Sequence, residues 1–197
     1  MIKTIRVMLI PNNKQKTKLF QYANTARFAY NWALGREQEN YKNGGKFISD
    51  GDLRKEFTQL KKTDEYAWLN NVSNNVTKQA IKDACEAYRN FFKGYTKFPR
   101  FKSKKYSVPK FYQDNVKIKF TDTHVKLMLV AGKGKATSKR NQKFCRIRLA
   151  EHGRIPTDCK YCNPRIKYDG INWYITVGIE YEDSTTLPSN EGIGIDL

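Results

Sequence analysis

Lys3-Thr4-Ile5-Arg6-Val7-Met8-Leu9-Ile10, closed by Pro11-Asn12-Asn13, is the stretch on which the fold turns. Ile5, Val7 and Leu9 alternate with Thr4, Arg6 and Met8, the period of two of a strand with one buried face. A proline and two asparagines then stop it. A lone strand leaves its backbone donors and acceptors unpaired, and the chain behind it is helical in pattern as far as residue 94. The partners of this first strand must therefore come from much later in the sequence.

Working outward, Leu19, Ala23, Ala26, Tyr30 and Ala33 recur at helical spacing, which predicts one long helix from Lys14 to about Tyr41. Lys42-Asn43-Gly44-Gly45-Lys46 breaks it. Ser49 or Asp50 is suited to cap a second helix carrying Leu53, Phe57 and Leu60. A short Trp68-Leu69 segment follows. Ser73 or Asn74 then opens a third helix whose Val76, Ala80, Ala84, Tyr88 and Phe91 make a core stripe ending at Gly94. Lys78 and Gln79 sit off that stripe near its start, where a helix end can present side chains to a nucleic-acid groove.

Period two returns afterwards in Val116, Ile118 and Phe120, in Val125, Leu127 and Leu129, and in Cys145, Ile147 and Leu149. Arg165 to Tyr168 and Trp173 to Tyr181 read as a hairpin around Asp169-Gly170. These strands with basic outer faces predict an α+β protein: a small antiparallel β-barrel, completed by the first strand, with the helical block inserted in it. Asp183 to Glu191 reads as a linker leading to Gly192-Ile193-Gly194-Ile195-Asp196-Leu197, a short apolar strand bearing one carboxylate.

The charge balance narrows the function. Among 197 residues, 37 Lys and Arg face 19 Asp and Glu, a formal net charge of +18. That excess points to a polyanionic partner, because neutralised phosphates release their counterions. Lys93 to Lys119 holds nine basic residues and one acid, Asp114, interleaved with aromatics around Phe98-Pro99-Arg100-Phe101-Lys102. A second stretch from Lys133 to Arg148 is free of acids. Cations interleaved with rings suit the path of a nucleic-acid backbone. No run of apolar residues is long enough to span a membrane and no signal-peptide core is present, so a cytoplasmic protein without a membrane partner is expected. His124 and His152 lie in no nucleophile motif.

Disulfides are not expected in that compartment. Cys159-Lys160-Tyr161-Cys162 is a CxxC knuckle that, with Cys145 and His152, could supply the four ligands of a tetrahedral zinc site. The second half of the usual paired motif is missing, and a polar turn with two thiols is the alternative.

Taken in order, Pro11-Asn12, Ala26-Arg27-Phe28-Ala29-Tyr30-Asn31, Ala80-Ile81-Lys82-Asp83 with Tyr88-Arg89-Asn90-Phe91-Phe92, Phe98-Pro99-Arg100-Phe101-Lys102 and Gly194-Ile195-Asp196-Leu197 resemble the N-terminal half of the TnpB family. These are insertion-sequence proteins related to type V CRISPR effectors. The resemblance implies an RNA-guided, Mg-dependent DNA endonuclease architecture. Its parts would be the first strand of a wedge β-barrel at 1–13, a helical recognition domain at 14–94, the rest of the barrel at 95–182, and a linker with the first RuvC strand at 183–197. Asp196 would match the first RuvC carboxylate, whose partners, with the rest of the RuvC nuclease domain, are missing from this sequence. The chain alone is then expected to bind nucleic acid and not to cut it, since two-metal hydrolysis needs several carboxylates.

The resemblance further implies guide RNA and a double-stranded DNA target as partners, with a short motif beside the target read by the protein. It places Asn74, Lys78, Gln79, Tyr112 and Gln113, and less directly Asp50, at that motif. Arg27, Arg36, Arg100, Lys102, Lys104, Lys105, Arg146 and Arg148 are the candidates for the RNA and the guide–target heteroduplex. A stand-alone DNA-binding regulator, or a transposase accessory, using its N-terminal helices as a helix-turn-helix-like unit is the competing expectation.

Overall fold

The computed structural model describes residues 2–130 and 142–180. Its centre is the first strand. Strand β1 (Ile2–Ile10) buries Ile5, Val7 and Leu9 and lies between β7 (Trp173–Glu180) and β5 (Gln142–Leu149), antiparallel to both. The seven strands run β2-β6-β7-β1-β5-β4-β3, with β2 (Lys110–Tyr112), β3 (Ile118–Phe120), β4 (His124–Val130) and β6 (Tyr161–Tyr168) completing the set. All pairs are antiparallel.

The result is a half-barrel. The small antiparallel barrel expected from the strand pattern takes the form of a rolled sheet in which residues 113–117 carry the chain from one edge strand, β2, to the other, β3. On the way, Gln113 N donates to Pro164 O at 3.0 Å and Asn115 Nδ2 to Tyr161 O at 3.3 Å. The rings of Phe120 and Tyr161 meet at 4.8 Å across the roll. Val116, expected in a strand with Ile118 and Phe120, instead lies exposed in a short 3-10 turn, Asn115–Lys117. Asp114 starts that turn by accepting from Val116 N, which removes the residue from the ladder.

Between β1 and the other strands come three helices: α1 (Asn13–Lys42), α2 (Asp50–Leu60) and α3 (Asn74–Phe92), with a 3-10 helix at Asp64–Asn71. Asn12 and Gln15 form a capping box at the start of α1, and Ser49 caps α2. Ser73 occupies the cap position of α3 without a side-chain cap bond. Gly44 (φ +74°) and Gly94 (φ +75°) end α1 and α3 in the left-handed conformation that glycine adopts without cost. Ala23, Ala26, Ala29 and Ala33 on α1 and Ala80 and Ala84 on α3 are buried, small enough for the two helices to pack closely. Tyr22 reaches Phe111 at 5.3 Å and Phe20 reaches Trp173 at 4.9 Å, so helices and sheet share one core. The hairpin β6–β7 turns through Asp169, whose Oδ1 accepts from the amides of Ile171 and Asn172.

Candidate nucleic-acid interface

Alternation along each strand fixes what its outer face presents. With Ile147, Val125 and Ile118 turned inward, Arg146, Lys126 and Lys119 turn outward, and the register sets all three abreast: Lys119 opposite Lys126, Lys126 opposite Arg146. Lys110 and Lys167 are likewise direct neighbours, as are Tyr112 and Arg165. Arg6 lies over the Tyr174 ring at 3.9 Å, and Arg148 stands opposite Ile10. Among the described outward strand positions the one carboxylate is Glu180, held by Lys160 at 2.8 Å. Like charges directly opposite one another destabilise a sheet, and an anion lying on this face would relieve that repulsion.

At the β2–β6 side the basic face runs into a cleft of about 740 Å³ walled by Tyr30, Asp83, Glu86, Asn90, Lys97, Lys102, Lys110, Arg165 and Lys167. Two contacts shape it. Arg165 donates to both oxygens of Asp83, Nη1 to Oδ2 at 2.6 Å and Nη2 to Oδ1 at 3.1 Å, and Gln79 Nε2 donates to Asp83 Oδ1 at 2.8 Å. Burial pushes the Asp83 carboxyl up, but these hydrogen bonds outweigh it and the group is held below the usual carboxylate range. The second contact holds the strap that follows α3. Asn31 Nδ2 donates to Lys102 O and Lys102 N donates to Asn31 Oδ1, both at 2.8 Å. Lys102 Nζ then sits 3.2 Å from the Tyr30 ring centroid, and burial, with Lys110 nearby, brings its ammonium down to about 8.

A smaller groove of about 150 Å³ opens between α2 and the start of α3, lined by Arg54, Thr58, Lys61, Asn74, Thr77 and Lys78. Lys61 is only 8% exposed; its Nζ donates to Asn74 Oδ1 at 2.8 Å and lies 3.4 Å from Thr77 Oγ1, and burial lowers its pKa to about 8.

The residues singled out in the sequence fall into four groups. Arg27, Gln79, Lys102 and Tyr112 converge on one small cavity beside Asp83 and Arg165. Asn74 and Lys78 line the α2–α3 groove. Arg100, Lys104, Lys105, Arg146 and Arg148 are exposed cations. The rest are already engaged: Arg36 with Glu39 and Glu56, Asp50 with Arg54 and Arg89, and Gln113, at 2% exposure, with the carbonyl of Lys117. Gln113, expected at the motif beside the target, is thus buried in the free chain.

The knuckle cysteines do not gather. Cys159 donates to Pro156 O and Cys162 to Glu180, and among the described residues no three His, Cys, Asp or Glu side chains come together to hold a metal. Asp196 and the strand that carries it lie outside the described residues. Arg6, Lys61, Lys126, Arg165 and Lys167 were not singled out from the sequence. For the four strand residues the signal was the alternation itself, which needs the register before it can say which cations become neighbours; Lys61, at the C-cap of α2, carried none.

Comparison with known proteins agrees with this geometry. Residues 1–46 match a family model described as a helix-turn-helix domain, HTH_OrfB_IS605; over that range the chain forms one strand and one continuous helix. InsQ of Escherichia coli (strain K12), assigned as an RNA-guided DNA endonuclease, is 26% identical over 196 residues, 99% of this chain and 45% of InsQ. A protein of Streptomyces pristinaespiralis with the same assignment is 30% identical over 105 residues, 53% of this chain and 26% of that one. The chain thus spans less than half the length of these relatives. The fold resembles that of Cas12f1, solved by cryo-EM in a complex with sgRNA and target DNA, with a TM-score of 0.51 at 13% identity over 93% of this chain and 49% of the other. The family match and the likeness to InsQ along the whole chain agree with the TnpB-family resemblance of the sequence, and Cas12f1 shares the fold.

Proposed function

We propose that this chain binds guide RNA, the duplex motif beside a DNA target and the guide–target heteroduplex, as the nucleic-acid-holding portion of an RNA-guided DNA endonuclease. The single observation that carries the reading is the basic outer face of the half-barrel, where Lys119, Lys126 and Arg146 stand abreast and the cleft of Lys102, Lys110, Arg165 and Lys167 adjoins. Phosphates relieve the mutual repulsion of these cations, and each one neutralised steepens the salt dependence of binding. The half-barrel acts as the wedge domain in this reading and the helices as the recognition domain.

The α2–α3 groove takes the duplex motif. Asn74 and Lys78 present amide and ammonium groups that match base edges in a major groove. In this reading Mg²⁺ is a cofactor of the complete nuclease and the part played by this chain is binding. A stand-alone regulator without RNA is favoured by the helix-turn-helix description of the matching family. The continuous 30-residue α1 speaks against it.

Purification through a high-salt wash, followed by sequencing of the RNA retained, tests the proposal. Recovery of a defined RNA species supports it. A nucleic-acid-free protein that still binds duplex DNA would instead establish the regulator, and cleavage of DNA by these 197 residues with Mg²⁺ and that RNA would refute the binding-only role.

A further inference from the structure

The basic face and cleft leave unexplained a group of exposed rings at the C-terminal ends of α1 and α3. The C-terminal ends of α1 and α3 lie side by side there. Tyr41 and Phe92 face each other at 6.2 Å, and they are 65% and 55% exposed. Phe92 stacks on Tyr88 at 6.0 Å with 23° between the planes, and Tyr88 and Phe91 are braced edge-on by Phe98 at 5.7 and 5.2 Å. Rings so exposed are costly in water, yet these are supported from beneath rather than folded away.

Charge around them is segregated. Residues 40–49 and 87–113 contain no Asp or Glu, and these two segments meet at this end. Among the described residues Lys42, Lys46, Lys93 and Lys97, all exposed, form no salt bridge. An apolar protein partner would not call for a field of unpaired cations, whereas a nucleic-acid strand calls for both rings and cations. Duplex bases hide their faces in the stack. RNA exposes unpaired bases in loops, bulges and ends, and aromatic side chains take them by stacking.

We infer that the Tyr41–Phe92 tip is a stacking platform for unpaired bases of an RNA strand, with Lys42 and Lys93 following its phosphates and Lys97 joining the tip to the cleft. The inference rests on the nucleic-acid-binding reading and adds a second contact region, remote in sequence from the strand cations.

Two variants of the full chain test it. In Phe92→Trp, a single-stranded oligoadenylate RNA of about 12 nucleotides, within the range of such sites, should quench fluorescence beyond the change seen with the native Trp32, Trp68 and Trp173. In Tyr41→Ala/Phe92→Ala, affinity for that RNA should fall about tenfold or more, while binding to duplex DNA is kept. Because the reporter retains a ring at position 92, it remains informative if the double alanine variant does not fold. Absence of extra quenching, or unchanged RNA affinity of a folded double variant, overturns the platform and leaves the wider reading intact if duplex binding persists. Failure of the unaltered chain to bind RNA or duplex removes both. A dimer in sedimentation velocity that the double variant abolishes, with RNA affinity unmoved, would assign the rings to self-association and likewise overturn the inference.

Discussion

Asp83 on α3 and Arg165 on β6 grip each other at two points, 2.6 and 3.1 Å, across the seam between the inserted helices and the sheet. Both side chains are less than one-third exposed. The pair does two things: it docks α3 on the half-barrel, and it fixes Arg165 in the wall of the cleft. Removing one partner strands the other charge in a half-dry setting, so Asp83→Ala should cost about 1–3 kcal/mol by chemical denaturation.

The same pair sets an acid limit. Asp83 is held below its ordinary 3.8 by the hydrogen bonds from Arg165 and Gln79, which outweigh its burial. A carboxyl with a depressed folded pKa stabilises the fold above its unfolded value and loses that contribution as pH falls through the folded one. The stability difference between the unaltered chain and Asp83→Asn should be constant above about pH 5 and shrink below pH 4. A difference that persists unchanged at pH 2 would show that the ion pair is not its source.

Lys61 gives a base-side counterpart. Burial lowers its pKa to about 8 from 10.5. Between those values the unfolded chain holds more protons than the folded one, so this lysine makes the protein more stable as pH rises from 8 to 10.5. Other groups contribute in that window as well, the Cys85 thiol among them, because burial raises it to about 12 in the folded chain while the unfolded thiol titrates near its ordinary value. The comparison that isolates Lys61 is therefore with Lys61→Met: the unaltered chain should gain on the variant across that window by no more than about 3 kcal/mol. Parallel curves would refute it.

Asn31 and Lys102 make the strap's only paired side-chain-to-backbone clamp among the described residues. Asn31→Ala should release the amide of Lys102 to rapid hydrogen exchange and cost about 1–2 kcal/mol. Asn31→Asp, which keeps one acceptor, should retain part of the protection.

Like charges abreast predict opposite effects on fold and binding. Lys126→Glu places an acid between Lys119 and Arg146. The free protein should gain up to about 1 kcal/mol, while nucleic-acid affinity falls and the slope of log affinity against log salt drops by about 1–2. Loss of stability together with loss of binding would mean the row is structural.

The order of strand, helices and strands was legible in the sequence because it rests on local physics. Period two in Ile5-Val7-Leu9 and helical spacing from Leu19 to Ala33 predicted β1 and α1 almost to the residue. Glycines at 44 and 94 marked the helix ends, since only a residue without Cβ enters the left-handed region freely. Composition pointed to a polyanionic partner, and residue alternation put Arg146 and Arg148 on an outer face. Register, closure and pairing were beyond it. Whether the strands close or roll depends on residues 113–117 crossing between edges, and Val116 left its strand because Asp114 captured its amide. Gln113 and Tyr112 are adjacent in sequence, yet one is buried and the other lines the site, a consequence of the pleat at an edge strand. Asp83 and Arg165, 82 residues apart, meet because β1 carries the helices into the middle of a sheet whose other strands come later. Local propensity and charge are properties of short segments and survive in the sequence; the neighbours of a side chain are set by long-range pairing, and only the folded chain decides them.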